Sequence, residues 1–159
     1  MLLNLEVFQY TTSLDLNIGY YHIRLINQAS NLCTIIIPWG NYKYKRLPLG
    51  ICNSPENFQE KMNKMFHGFE FILSYIHDLL IITKGDWYNH LKNMERVLQN
   101  LKDNGLKCNI ENSLFGQTQM EYLGLWVTRN EIRPVNKKVE AIVNMTPPKN
   151  IRQVRAFYS

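Results

Sequence analysis

The stretch FEFILSYIHDLLIIT, Phe69–Thr83, decides how this chain is read. Two apolar runs, Phe71–Ile76 and Leu79–Ile82, flank the polar pair His77–Asp78. Apolar arms of strand length around so short a polar break predict a β-hairpin that lifts two functional side chains into the open at its tip. An acid at a hairpin tip is by default a solvated turn residue. The same holds for Asp15, at the end of the earlier strand TTSLDL.

Outward from the hairpin, the order of elements is mixed. TTSLDL ends as a strand near Asp15, and NIGYY follows as a turn with Gly19 as its pivot. YHIRL and CTIIIPW are predicted strands separated by polar NQASN, and GNYKYKRL alternates until Pro48 stops it. NSPENFQEKMNKMFHG is a helix: Ser54 can N-cap it, Pro55 suits the first helical position and Gly68 follows the last turn. Phe58, Met62, Met65 and Phe66 share one face of it and are expected in the core. DWYNHLKNMERVLQNLKDNG is a second helix, capped by Asp86 and ended by Gly105, with Leu91, Met94, Val97, Leu98 and Leu101 as its apolar stripe. LKCNI and MEYLGLWV are predicted strands, the latter turning at TRNE. Beyond Pro134, NKKVEAIVNM is helical, TPPKN breaks it and IRQVRAFYS begins another helix. The expected fold class is α+β, an antiparallel sheet with helices on one face.

The bulk numbers agree with a folded domain. At 159 residues the chain can bury a core, and 45% hydrophobic against 19% charged residues excludes a disordered chain. Eighteen Lys and Arg against thirteen Asp and Glu leave a net charge of +5, which suits a polyanion without singling one out. Cys33, Cys52 and Cys108 are far apart and lack metal-finger spacing, so buried free thiols in a reducing compartment are expected. The N-terminus MLLNLEVFQYTT has no basic leader, and no apolar run approaches the ~18 residues of a membrane span. The expectation is an intracellular protein, cytoplasmic or nuclear, with no membrane partner.

Six blocks change the weight of Asp15 and Asp78. SLDLNIGYYHIRL, YKRLPLGICNSPENFQEKM, YIHDLLIITKG, HLKNMERVLQNLKDNGLK, MEYLGLWVTRNEIRP and KKVEAIVNMTPPKNIRQVRAF occur in this order. Together they resemble the reverse transcriptase of gypsy-class LTR retrotransposons, from about Glu6 to Ser159. The resemblance implies a polymerase palm over residues 1–132 and the beginning of a thumb over 133–159, as a fragment of a Pol polyprotein. It implies an RNA-directed DNA polymerase, a nucleotidyltransferase using two Mg2+ ions held by acidic side chains, with dNTP and an RNA or DNA template-primer duplex as partners. Asp15 and Asp78 match family carboxylates, and the Leu16 carbonyl is expected to help hold the nucleotide-side metal. Tyr20 matches the aromatic under the incoming sugar, where a bulky ring disfavours a 2′-hydroxyl, and Leu49 faces that sugar. Pro48, Gly50, Phe58 and Gln59 belong to the block lining the template side. Tyr122, Leu123 and Gly124 match the hairpin that grips the primer. Lys43, Lys45, Arg46, Lys137 and Lys138 are candidates for phosphate contact, although each alone is an ordinary surface charge.

The family hairpin carries Tyr-x-Asp-Asp, and this chain has Tyr75-Ile76-His77-Asp78. His77 stands where the resemblance implies the first acid of the pair. Imidazole is a poor magnesium ligand and exchanges a negative charge for a neutral or positive group. A loss of about 4 kcal/mol of transition-state stabilisation would slow the reaction roughly a thousandfold. A switch to Mn2+, which tolerates nitrogen better, is the milder outcome. The fingers segment of the family has no counterpart before Met1, and the resemblance stops inside the first thumb helix. The sequence therefore predicts a palm inactive on its own, dependent on a partner such as another polymerase subunit. The alternative is a non-catalytic module that still holds a nucleic-acid duplex or a subunit.

Overall fold

Strand β1, Tyr10–Leu16, buries Thr12, Leu14 and Leu16 on one face and Thr11 on the other, and its register sets the rest of the architecture. In this computed structural model the described residues are 8–17, 19–129 and 131–136, with the single positions Val143, Ile151 and Arg155. They fall into two compact units, divided between Thr118 and Gln119.

In the first unit β1 is followed by a 3-10 turn, Gly19–His22, and a short helix α1, Asn27–Leu32. Strands β2, Thr34–Ile37, and β3, Gly40–Lys43, form a two-stranded ribbon. Helix α2, Ser54–Met65, precedes strands β4, Ile72–Tyr75, and β5, Asp78–Thr83. Helix α3, Trp87–Asp103, then leads to β6, Cys108–Gln117. The main sheet is antiparallel in the order β4-β5-β1-β6. One face of it carries Leu14 and Leu16 of β1 with Leu79 and Ile81 of β5, and α2 and α3 cover that face with Phe58, Met62, Phe66, Val97 and Leu101. The inward-facing residues of β1 and β5 meet an apolar stripe on each helix, and burying such side chains contributes about 1.5–3 kcal/mol apiece.

The second unit carries β7, Gln119–Tyr122, β8, Leu125–Thr128, and β9, Ile132–Pro134, in an antiparallel three-stranded sheet. MEYLGLWV is thus a hairpin and not one strand, because Leu123 and Gly124 both take positive φ, 51° and 78°, and reverse the chain. Same-sign positive φ at both central residues is the turn that matches strand twist. Strand β9 then pairs antiparallel with β8, and at that end the Thr128 amide donates to the Glu131 carbonyl at 3.0 Å. The helices expected beyond Pro134 lie outside the described residues, apart from Asn136, Val143, Ile151 and Arg155, which are helical.

Other expectations are corrected. Polar NQASN is helical, and YHIRL contributes only an isolated bridge, Arg24–Arg46. Asn53, not Ser54, is the N-cap of α2, and the Ser54 hydroxyl donates to the Pro48 carbonyl at 2.9 Å, tying the LPLG loop to the helix start. Gly19 opens the 3-10 turn and is buried where a Cβ would overlap the Phe58 ring, so close packing is what requires glycine there. On α3, Leu91 and Leu98 are exposed, whereas His90 is fully buried. All three cysteines are free thiols, but none is buried: Cys52 is exposed and Cys33 and Cys108 are only partly covered. Among the described residues no helix is long and apolar enough to cross a membrane.

Candidate metal and polymerase site

The β4–β5 hairpin forms as the apolar arms require, with Tyr75 opposite Asp78 and only Ile76 and His77 between them. Ile76 has φ of 52°, a conformation that costs an L-residue about 1–2 kcal/mol and is rare for a β-branched side chain. Gln59 of α2 holds it there. Its Oε1 accepts the Ile76 amide at 2.6 Å, and its Nε2 donates to the Ser74 carbonyl at 3.0 Å and to the Ser74 hydroxyl at 3.3 Å. One side chain therefore ties the end of β4 and the turn after it to helix α2.

The pairing of β5 with β1 sets Asp15 directly across from Asp78. The Leu16 amide donates to the His77 carbonyl at 2.8 Å, while the Asp15 amide turns the other way, to the Ser113 hydroxyl at 3.2 Å. Asp15 and Asp78 thus face each other as a non-hydrogen-bonded pair, the position in which opposing side chains stand closest. Two like charges there repel. Burial first, and then the charge of Asp15, raise the Asp78 carboxyl above the ordinary carboxylate value, against an opposing pull from His77.

His77 joins the pair. Asp15, His77 and Asp78 each offer one ligand atom, and these atoms lie within 4.8 Å of one another. Asp15 and Asp78 are half-buried and His77 is exposed. Two carboxylates suit a divalent cation, but an imidazole in place of a third oxygen donor does not suit magnesium. The donor set fits a divalent ion in general and fails to fit a magnesium pair.

Three neighbours carried no sequence signal. The register of β1 with β6 slips between Ser13–Leu114 and Asp15–Asn109, and this irregularity brings Asn112 and Ser113 to the site. Asn112 Nδ2 donates to Asp15 Oδ2 at 3.0 Å, and the Ser113 hydroxyl donates to the Asn109 carbonyl at 2.6 Å. Cys108 is close enough that burial and the charge of Asp15 both push its thiol up.

The other sequence-derived residues are placed as follows. Leu16 is buried at the end of β1. Tyr20 rests on Phe58 with ring centroids 5.2 Å apart. Leu49 is 61% exposed, whereas Phe58 is fully buried and Pro48 is buried, so these last two can support a surface but cannot form it. Gly50 has φ of 90° with open space around its α-carbon. Gln59 is spent on the hairpin. In the second unit, Tyr122 is buried, Leu123 is exposed, and Leu123 and Gly124 form the β7–β8 turn.

Comparison with known proteins agrees with this architecture. A family profile described as reverse transcriptase (RNA-dependent DNA polymerase) matches residues 4–127. The Pol polyprotein from transposon opus of Drosophila melanogaster is 33% identical over 151 residues, covering 94% of this chain and 15% of the polyprotein. The enzymatic polyprotein of soybean chlorotic mottle virus is 35% identical over 121 residues, covering 75% of this chain and 18% of its own length. Among solved structures, a foamy viral protease-reverse transcriptase in complex with double-stranded DNA superposes with a TM-score of 0.85 at 21% identity, over 98% of this chain and 27% of that one. The foamy viral enzyme in complex with an RNA/DNA hybrid gives 0.80 at 20% identity, over 97% and 21%. These two show a shared fold. The chain spans less than a fifth of either polyprotein. By the extent of the family match, it belongs to the reverse transcriptase (RNA-dependent DNA polymerase) family.

Proposed function

We propose that this chain is the palm, with the start of the thumb, of a gypsy-class LTR-retrotransposon reverse transcriptase whose polymerase chemistry is disabled at His77. The observation that carries the reading is the tip itself: two carboxylates face each other across β1 and β5, and an imidazole stands beside them. In this reading Asp15, Asp78 and the Leu16 carbonyl are the inherited metal-holding groups. Divalent ions held by these groups would supply activation of the primer hydroxyl and charge stabilisation for the departing pyrophosphate. Tyr20, held from beneath by Phe58, screens the sugar of the dNTP together with Leu49. Pro48, Gly50, Phe58 and Gln59 shape or support the template side, and Tyr122, Leu123 and Gly124 grip the primer.

The test is primer extension on an RNA template with dNTPs and Mg2+ or Mn2+. The palm is completed with fingers and thumb from an intact relative and carries either His77 or His77→Asp. Extension by His77→Asp alone supports the reading. Comparable extension by the His77 form with Mg2+ refutes it. A second reading, a non-catalytic module for nucleic-acid duplexes, draws on the +5 charge. Salt-dependent binding of an RNA–DNA hybrid, with no incorporation by either form, would favour it.

A further inference from the structure

We infer that Asp15, His77 and Asp78 make a single-ion site for a first-row transition-metal dication, such as Mn2+, Co2+ or Zn2+, in preference to Mg2+. The inference rests on the reading of the hairpin tip as the metal-holding end of the palm, and it replaces the family's ion with another class. Three donors, two oxygens and one nitrogen, converge within 4.8 Å from strands β1 and β5 and the turn before β5. That is room for one ion, with its remaining positions open to water. Mg2+ demands near-ideal octahedral oxygen geometry and gives up its water reluctantly, whereas imidazole suits the transition metals.

The frame around the donors is already built. Gln59 fixes the Ile76 turn, and the turn sets where His77 projects. Asn112 holds Asp15 Oδ2 from outside, the kind of outer hydrogen bond that orients a ligating carboxylate. Asp15 and Asp78 oppose each other without a hydrogen bond between their backbones, so a cation relieves a repulsion that folding imposes. The imidazole is exposed, so an ion arriving from solvent can reach it.

The test uses the whole chain and needs no polymerase activity. Co2+ is titrated with its ligand-field absorption as readout, and Mn2+ with its free-ion EPR signal. One equivalent of Co2+ is expected to bind and to resist a tenfold excess of Mg2+. His77→Ala should weaken Co2+ at least tenfold, or about 1.4 kcal/mol. His77→Asp should reverse the preference and gain Mg2+. Cys52→Ser and His67→Ala, at exposed positions outside the donor group, should change nothing, and circular dichroism verifies that each variant is folded. Unchanged Co2+ affinity in folded His77→Ala, or displacement of Co2+ by equimolar Mg2+, overturns the inference. Either result leaves the polymerase reading intact if His77→Asp restores primer extension, so the two fail separately.

Discussion

Gln59 Oε1 accepts the backbone amide of Ile76 at 2.6 Å, and through this contact helix α2 holds the tip of the β4–β5 hairpin in its left-handed turn. Gln59→Leu keeps the volume and removes the acceptor together with both donations to Ser74. We expect a loss of about 1–3 kcal/mol in urea unfolding, the cost of leaving such groups unpaired. Amide exchange at Ile76 should accelerate while that in α3 changes only with global stability. An unchanged Ile76 exchange rate would show that the turn stands without Gln59.

The raised carboxyl of Asp78 makes a stability prediction with a definite sign. A carboxyl whose folded value lies above its unfolded one contributes stability below the unfolded value and loses it as pH rises through the folded value. At neutral pH the charged form is therefore a net cost. Asp78→Asn should raise the urea midpoint at pH 7 without changing the slope, and the gain should vanish under acid. A lower midpoint at neutral pH would mean that the charge is stabilised by its surroundings.

His90 predicts the opposite acid behaviour. It is fully buried, with Nε2 2.8 Å from the Thr12 hydroxyl and Nδ1 2.8 Å from the Thr83 hydroxyl. The Gly116 amide donates to Thr12 Oγ1 at 3.0 Å, and Thr83 Oγ1 donates to the Tyr10 carbonyl at 3.4 Å. One placement of protons satisfies all four contacts: Nδ1–H donates to Thr83 and Nε2 accepts from Thr12. A second ring proton breaks it, and burial lowers the pKa of this histidine below its ordinary value of 6.5. The neutral ring's contribution is complete above about pH 6.5 and is lost as pH falls through the lower folded value. We expect midpoints to fall on acidification from pH 7 to 5, and His90→Gln to flatten that fall. An equal fall in the variant would place the effect elsewhere.

Leu123 is 45% exposed at φ of 51° in the β7–β8 turn, so a bulky apolar residue is kept where Asn or Gly would be easier. Leu123→Asn should stabilise the chain by about 1 kcal/mol and, if the turn grips a primer, should weaken duplex binding. A stabilised variant with unchanged duplex affinity would separate the strain from that role.

The fold was largely legible because both hairpin arms are apolar runs of strand length around a polar break and both long helices carry an apolar stripe at helical spacing, and such patterns are local. Asp15 and Asp78 could be singled out from the ordered blocks alone. Yet α1 was hidden, since a six-residue polar helix has no apolar stripe to betray it. Ser54 was misread because a hydroxyl at a helix start can cap the helix or bond a loop carbonyl, and only the position of Pro48 decides which.

From its sequence alone, this chain was determined to be an α+β palm-like fold with an acid on each of two strands and a histidine beside the second. Only the tertiary structure decided that Asp15 and Asp78 stand opposite each other and that His77 converges with them. It alone placed Asn112 and Gln59 as their supports. The reason is physical: periodicity records which face of an element is buried. The register between strands far apart in sequence, and the side chain that crosses from helix to turn, exist only once the elements have packed.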